Sequence, residues 1–289
     1  SALFEKPRIA PGELADITRQ LLACGADITE INTLRKRFSA VKGGKFARLC
    51  APAQVFSIVL SDVLGDPLDA IASGPAYPDS TTAAQAQGIA EKYRLRLSAE
   101  ARARLAEETP KELTNARSVV TGSVRQLCTA AAGAASELGY TPIVLSTSLC
   151  CEAREAGSFL ASIAQYHRDT ETSLAFILGG ETVVHLTGDG LGGRNQELAL
   201  GAARGIAGMQ DTLIFSVGSD GTDGPTDAAG GWVDGETLSR LTQAGLRVED
   251  VLRRNDAYHA LQAIGNLIFT GPTGTNVNDL TVLLLKRSS

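Results

Sequence analysis

The chain has 289 residues, of which 44% are hydrophobic and 20% are charged. This composition favours a folded protein of about two domains and argues against general disorder. Lysine and arginine number 27 against 32 aspartates and glutamates, so the net charge of −5 argues against a nucleic-acid-binding protein. The sequence shows no apolar run long enough for a membrane span, no signal-peptide pattern and five cysteines. We therefore expect no nucleic-acid or membrane partner and a reducing, cytoplasmic location.

Apolar periodicity and glycine or proline breaks predict helices and strands along the whole chain. In the first half, helices are expected at 11–24, 27–38, 81–93, 98–107, 124–138 and 152–167, and strands at 55–60, 118–121 and 141–145. In the second half, strands are expected at 174–178, 182–186, 213–217 and 280–285, and helices at 195–203, 236–244 and 256–263. The run at 55–60 is apolar except at Ser57, and we expect it to form a buried strand.

The alternation of strands and helices predicts an α/β protein with mostly parallel sheets. A polar run at residues 168–172 suggests a division into one domain at 1–170 and a second at 171–289. Open α/β sheets bind ligands beyond the carboxyl ends of their strands. Glycine-rich polar segments follow several of the predicted strands, so we expect the functional site at these strand ends.

The first candidate site combines the segment at 179–181 (Gly-Gly-Glu) with a glycine-rich segment at 188–197. A helix that begins after Gly193 would hold an anion with its free N–H groups, and Arg194 adds a planar fork for phosphate or carboxylate. The segment also matches the G-x-G-x-x-G pattern of dinucleotide-binding proteins, although Asp189 would then lie beside a pyrophosphate. A hairpin followed by a capped helix is the alternative without a ligand.

The second candidate site is an acidic loop after the strand expected at 213–217. Asp220, Asp223 and Asp227 lie within eight residues of one another in this loop. Such a spacing can ligate Mg²⁺ or place a carboxylate base beside a substrate hydroxyl. The alternative is an Asx-turn loop whose aspartates are solvated.

Three further polar stretches supply groups that could bind an anionic or hydroxylated ligand. They are Thr275 and Asn276 before the last strand, Asp62 after the strand at 55–60, and Arg35 and Lys42 in a basic stretch. For each of them, a polar turn or a solvated helix face is the alternative.

Six motifs resemble those of the type II glycerate kinases, the MOFRL family, some of whose members are labelled hydroxypyruvate reductases. They are NTLRKRFSAVKGG at 32–44, SDVLGDPLDAIASGP at 61–75, GGETVV at 179–184, GGRNQE at 192–197, SDGTDGPTDAAG at 219–230 and TGTNVNDL at 273–280. The resemblance implies two α/β domains with an active site in the cleft between them. It also implies phosphorylation of D-glycerate at its 2-position, with ATP and Mg²⁺.

On this resemblance we expect Asp220, Arg194 and Glu181 to be catalytic. Substrate would be bound by Asp62, Lys42, Arg35 and Asn276, nucleotide by Gly192, Gly193, Asn195 and Thr275, and metal by Asp220 and Asp223. An NAD(P)H-dependent hydroxypyruvate reductase is the alternative enzyme, and a non-catalytic subunit is the alternative outside catalysis.

The resemblance also implies a longer N-terminal domain than the one seen here. The family's glycine-serine loop, S-G-G-G-S-A-L, is matched only by Ser1-Ala2-Leu3, and the only methionine is Met209. We therefore expect a truncated chain with little activity of its own. A complementing N-terminal segment or a second copy of the chain is the expected partner.

Overall fold

The computed structural model describes residues 6–63, 65 and 67–287. It confirms the α/β class and divides the chain into two compact units. Described residues within 1–59 and 66–121 form the N-terminal unit, and those within 60–65 and 122–289 form the C-terminal unit. The compact units therefore do not divide at the expected boundary of 170–171. In this described part of the chain, no helix has the length and apolar character that a membrane crossing requires.

The N-terminal unit is mainly helical. Its helices are α1 (Pro11–Ala23), α2 (Ile28–Phe38), α3 (Lys45–Cys50), α4 (Ala83–Lys92) and α5 (Ala99–Leu105). Helix α2 starts in a capping box, in which Asp27 accepts a hydrogen bond from the N–H of Glu30 at 2.8 Å and Glu30 reciprocates. The apolar face of α2, with Leu34 and Phe38 at its centre, packs into one core with residues of α1, α4 and α5.

Strands β1 (Val55–Leu60) and β2 (Ala116–Gly122) form a two-stranded sheet. Main-chain hydrogen bonds at both ends of the pair join residues in ascending order, so the strands run parallel. The strand expected at 55–60 is confirmed, but its complete burial is not. Phe56, Ile58 and Leu60 are exposed, because only the alternate residues of β1 are partly covered by the described chain.

The C-terminal unit contains a mixed sheet covered by helices. Its elements are α6 (Val124–Glu137), β3 (Thr141–Leu149), α7 (Ala153–Tyr166), β4 (Leu174–Gly180), α8 (Arg194–Ala202), β5 (Thr212–Gly218), β6 (Gly230–Asp234), α9 (Thr237–Gln243), α10 (Val248–Arg253), α11 (Ala257–Ala263), β7 (Leu267–Ile268) and β8 (Asp279–Leu285). The strand order within the described residues is β3-β4-β8-β5-β6-β7.

The expectation of mostly parallel strands is wrong for this sheet. Among its described strands, β3 and β4 pair parallel, whereas β4–β8, β8–β5, β5–β6 and β6–β7 pair antiparallel. The last strand, β8, enters the middle of the sheet between β4 and β5 in the opposite direction. The start of β8 therefore lies beside the ends of β4 and β5.

Helix α8 is the central helix of the C-terminal unit, and nearly all of it is buried. Helix α7 crosses it closely at Gly157, where a Cβ atom would lie 2.1 Å from the carbonyl oxygen of Leu198. This close crossing lets Leu160, Leu198 and Leu200 pack into the main core with the sheet. The first turn of α8 is thereby fixed relative to the strand ends.

Most predicted elements are present, with ends shifted by a few residues. The strand expected at 182–186 is wrong, since only Val183 makes an isolated bridge, to Glu152. Short elements that the sequence pattern did not predict are α3, α10, β6 and β7. They lack a full apolar period, so tertiary packing rather than local periodicity stabilises them.

Candidate active site

Three segments meet at one edge of the C-terminal sheet. Asp279, the first residue of β8, pairs with Gly180 at the end of β4 and with Gly218 at the end of β5. The glycine-glutamate segment after β4, the acidic loop after β5 and the polar turn before β8 are therefore neighbours. This edge is where the sequence places three of its candidate segments.

Arg194, the first residue of α8, lies between two carboxylates at this edge. Its Nε and Nη2 donate to the two carboxylate oxygens of Asp279 at 2.6 and 3.1 Å, and its Nη1 donates to Glu181 at 2.9 Å. Burial by itself lowers the pKa of Arg194, but the hydrogen bonds and charge of Asp279 outweigh it and the pKa is raised. The guanidinium is thus charged, held in one orientation and still one-third exposed.

Asp223 caps helix α8 from the acidic loop. It accepts hydrogen bonds from the N–H of Asn195 at 3.1 Å, from the side chain of Asn195 at 3.2 Å and from the N–H of Gln196 at 2.9 Å. Burial raises the pKa of Asp223 to about 6, although these donors act in the opposite direction. Both carboxylate oxygens are engaged by the helix, so Asp223 caps α8, and its expected role as a metal ligand remains a prediction.

Asp220 occupies a different position in the same loop. One of its oxygens accepts hydrogen bonds from the N–H and the hydroxyl of Thr222, at 2.9 and 3.1 Å. Asp220 is only partly buried, and its carboxylate lines the cavity described next. Within the residues that the structure describes, no three carboxylate, histidine or cysteine groups converge as a metal cluster.

A cavity of about 850 Å³ opens at this strand edge. Its polar lining brings together Glu181, Arg194, Asp220, Asp223 and Asn276 with the main chain of Gly192 and Gly193. Its apolar lining consists of Val183, Val184, Leu186 and Pro225. The cavity thus combines one fixed cation, several carboxylates, main-chain groups and an apolar wall, as small-molecule sites do.

Other predicted site residues do not line this cavity. Asn195 is buried, with its amide donating to Asp223 and its carbonyl oxygen accepting from Ser216. Thr275 lies in the turn before β8, where its N–H donates to Thr273. The expected nucleotide contacts of Asn195 and Thr275 remain predictions.

Arg35 and Lys42 belong to the N-terminal unit, and Asp62 is an exposed residue after β1. Two neighbouring cations in the same basic stretch are not available to a ligand. Lys36 and Arg37 are buried and pair with the buried Asp79 at 3.0 and 2.8 Å. Part of the charge attributed to substrate attraction therefore belongs to the core of that unit, and the substrate contacts of Arg35, Lys42 and Asp62 remain predictions.

The glycine pattern at 188–193 has a packing role. A Cβ atom at Gly188 would lie 2.5 Å from main-chain atoms of Arg254, and one at Gly190 would also lie 2.5 Å from the Arg254 carbonyl oxygen. The dinucleotide-binding pattern requires a strand that leads directly into the glycine turn. Here β4 ends at Gly180, well before the pattern starts, so these glycines give no support to dinucleotide binding.

Asp279 is a residue of this site that the sequence pattern did not single out. Its side chain is 7% exposed and holds Arg194 with both oxygens. The signal was its position at the start of a predicted strand inside the motif TGTNVNDL. The sequence does not show that β8 runs antiparallel to β4 and β5, so it could not predict that Asp279 lies beside Arg194.

The charged cavity at the strand ends is typical of α/β enzymes that bind small polar ligands. Two family models match the chain: "Domain of unknown function (DUF4147)" at residues 1–106 and "MOFRL family" at residues 174–279. D-glycerate 2-kinase of Thermotoga maritima is 50% identical over 99% of this chain and 70% of its own length. The chain belongs to the glycerate kinase family.

Two further matches describe the range of this family. The crystal structure of glycerate kinase from Thermotoga maritima superimposes with a TM-score of 0.94 at 49% identity, over 98% of this chain and 70% of that one. A putative hydroxypyruvate reductase of Agrobacterium vitis is 40% identical over 93% of this chain and 64% of its own length. The chain thus spans between about two thirds and seven tenths of the length of these relatives.

Proposed function

We propose that the protein is a glycerate kinase that transfers the γ-phosphoryl group of ATP to the 2-hydroxyl of D-glycerate in the presence of Mg²⁺. The observation that carries the proposal is the fixed guanidinium of Arg194, which Asp279 and Glu181 hold at the cavity edge. The names of the relatives supply the reaction and the substrate.

Phosphoryl transfer depends on positioning and on neutralising phosphate charge. Arg194 supplies positive charge toward the cavity, and because Asp279 binds it through two hydrogen bonds, little reorganisation accompanies ligand binding. The N–H groups of Asn195 and Gln196 at the start of α8 donate to Asp223, so they are not free to bind phosphate. Gly192 and Gly193 leave the cavity wall beside Arg194 free of side chains, so that a phosphate can approach the main chain.

The substrate hydroxyl needs a nearby acceptor for its proton. The hydroxyl oxygen forms a bond to the γ-phosphorus, the bond to the ADP oxygen breaks, and the hydroxyl proton passes to a carboxylate. Asp220 lines the cavity and, with one of its oxygens bound to Thr222, it is our candidate acceptor. Asn276 lines the same cavity and offers an amide to the substrate.

Mg²⁺ bound to a nucleotide takes one or two protein carboxylates together with phosphate oxygens and water. The cavity fits such a partial site, because Asp220 and Glu181 both present carboxylates to it. When bound, the ion would neutralise charge on the transferred phosphoryl group. No role of Asp223 as a ligand is required, since its oxygens bind helix α8.

The first experiment compares ADP release and NAD(P)H consumption by the purified chain. We expect D-glycerate-dependent ADP release with ATP and Mg²⁺, and no hydroxypyruvate-dependent oxidation of NADH or NADPH. The opposite pattern would establish the reductase and overturn the proposal. Equilibrium binding of MgATP and of D-glycerate, measured in parallel, tests the site independently of turnover.

Arg194→Lys retains the charge but loses the planar fork. We expect it to lower kcat/KM by roughly 10²- to 10³-fold, as is typical when a preorganised charge-stabilising donor is lost. Arg204→Lys is the matched control, because Arg204 is an exposed arginine of the same unit that pairs with Glu249. Unchanged kinetics in the Arg194 variant, with normal thermal stability in both, would remove Arg194 from the site.

A further inference from the structure

One wall of the cavity has almost no regular structure of its own. We call residues 186–193 the glycine wall, because Leu186, Gly188, Gly190, Gly192 and Gly193 line the cavity. Without regular secondary structure, the conformation of such a loop depends on the hydrogen bonds that other parts of the chain make to its main chain. The groups that hydrogen-bond to this main chain come from the turn between α10 and α11 and from the first turn of α11.

The hydrogen bonds to this turn run along the glycine wall. The N–H of Gly190 donates to the carbonyl of Arg254 at 2.8 Å, and the N–H of Tyr258 donates to the carbonyl of Leu191 at 2.9 Å. Asp256 accepts from the N–H of Leu191 at 3.1 Å. At the beginning of the wall, the hydroxyl of Thr187 donates to the carbonyl of Arg253 at 2.9 Å, and one side chain accepts from two successive main-chain N–H groups.

That side chain is Asn255, which is buried and has a positive φ of 54°. Its carbonyl oxygen accepts from the N–H of Thr187 at 2.7 Å and from the N–H of Gly188 at 2.9 Å. Its amide nitrogen donates to the carbonyl of His185 and to Glu197 Oε2, both at 3.2 Å. Both ends of the amide are occupied, so its orientation is determined by its partners.

The second acceptor for the Asn255 amide, Glu197, lies on the same helix as Arg194. It is 2% exposed and lies in α8, one turn after Arg194. Its Oε1 has no hydrogen-bond partner among the residues that the structure describes. Burying an unpaired acceptor at this depth costs free energy.

Charged groups around Glu197 come from two elements besides its own. Arg154 favours its charged form, whereas Glu152 and Asp223 disfavour it. Burial, the largest influence, raises the pKa of Glu197. The carbonyl-type oxygen that Asn255 requires is available in either protonation state and would also be supplied by glutamine.

We propose that Glu197 and Asn255 are positioning residues of the ligand site: Glu197 fixes the amide of Asn255, and Asn255 sets the main chain at the start of the glycine wall. Helix α8 then positions two parts of one cavity lining, the guanidinium of Arg194 directly and the start of the glycine wall through Glu197. The effect on substrate binding rests on the proposed kinase function, whereas the effect on the wall does not.

The direct test measures hydrogen exchange at the Thr187 and Gly188 amides. Asn255→Gly removes the side chain and keeps a residue that accepts positive φ. We expect these two amides to exchange roughly 10- to 100-fold faster in this variant, because each loses a partly buried hydrogen bond to Asn255. Asp211→Gly is the matched control, since Asp211 also has a positive φ, of 51°, and belongs to the same unit. It should leave both amides unchanged.

Glu197 is tested by a conservative and a non-conservative change. Glu197→Gln keeps an oxygen for Asn255 and should exchange like the wild type, whereas Glu197→Met should resemble Asn255→Gly. If the Met variant does not fold, the Gln and Asn255 variants still decide the result. Wild-type exchange in Asn255→Gly would overturn the proposal, and so would fast exchange in Glu197→Gln with a normal melting temperature.

Kinetics then tests the consequence for the ligand. In Asn255→Gly we expect KM for D-glycerate or MgATP to rise roughly 10-fold or more while kcat changes less than threefold, since a positioning loss mainly weakens binding. Faster exchange with unchanged KM would overturn the claim that the wall shapes the ligand site. If the wild type shows no kinase activity, the proposed function fails, and the exchange data still decide whether the two residues position the wall.

Discussion

Gly193→Ala separates a packing requirement from a ligand requirement at the start of α8. A Cβ atom at Gly193 would lie 2.3 Å from both Cγ and Oδ1 of Asp223, where ordinary contact begins near 3.4 Å. The φ of Gly193 is −134°, which alanine adopts without strain. The whole effect of the substitution is therefore the displacement of Asp223 by about 1 Å.

That displacement breaks the cap of α8. The hydrogen bonds from the N–H groups of Gln196 and Asn195 to Asp223, at 2.9 and 3.1 Å, would exceed hydrogen-bonding distance. Hydrogen bonds to a charged group contribute about 1.5–3 kcal/mol each, so losing both should lower the free energy of unfolding by about 3–6 kcal/mol. For a unit of this size the melting temperature should fall by roughly 10 °C.

Thermal and urea unfolding of purified variants check this expectation. Gly133→Ala is the control, because Gly133 is a helical glycine of α6 with nothing within 4 Å of its added Cβ. It should raise stability by about 0.5–1 kcal/mol. An unchanged melting temperature for Gly193→Ala would refute the packing argument. A normal melting temperature with lost MgATP binding would assign Gly193 to the ligand instead.

Two further predictions concern buried carboxylates. Burial raises the pKa of Asp223 from 3.8 to about 6, so the folded state binds more protons between these values and its stability should fall as pH rises from about 4 to 6. Asp223→Asn should flatten that part of the profile in urea unfolding at a series of pH values, and an unchanged slope would contradict the assignment. Asp79→Asn should cost about 3–5 kcal/mol in unfolding free energy, since it leaves the buried Lys36 and Arg37 without their shared anion. Asp16→Asn, at a half-exposed carboxylate that pairs with Arg19, should cost less than about 0.5 kcal/mol, and a cost equal to that of Asp79→Asn would refute the reasoning.

The sequence alone determined most elements of the fold and most segments of the site. Apolar periodicity located β4, β5 and β8 to within two residues. A buried strand needs apolar side chains along its length, so a local run of such residues marks it in the sequence. Glycine and carboxylate clusters located the loops around Glu181, Arg194, Asp220 and Asn276, which line one cavity. The motifs also indicated the family to which the chain belongs.

Tertiary structure alone decided which of these groups contact one another. Local periodicity does not encode strand direction, so the antiparallel insertion of β8 and the pairing of Asp279 with Arg194 could not be predicted. The same limit applies to the hydrogen bonds by which Asp223 caps α8, which the spacing of the acidic loop did not predict. It also applies to Asn255 and Glu197, which are 58 residues apart in sequence and share one hydrogen bond. How deeply a side chain is buried, and which groups it hydrogen-bonds, depend on residues that are distant in sequence. Local sequence patterns therefore do not predict them.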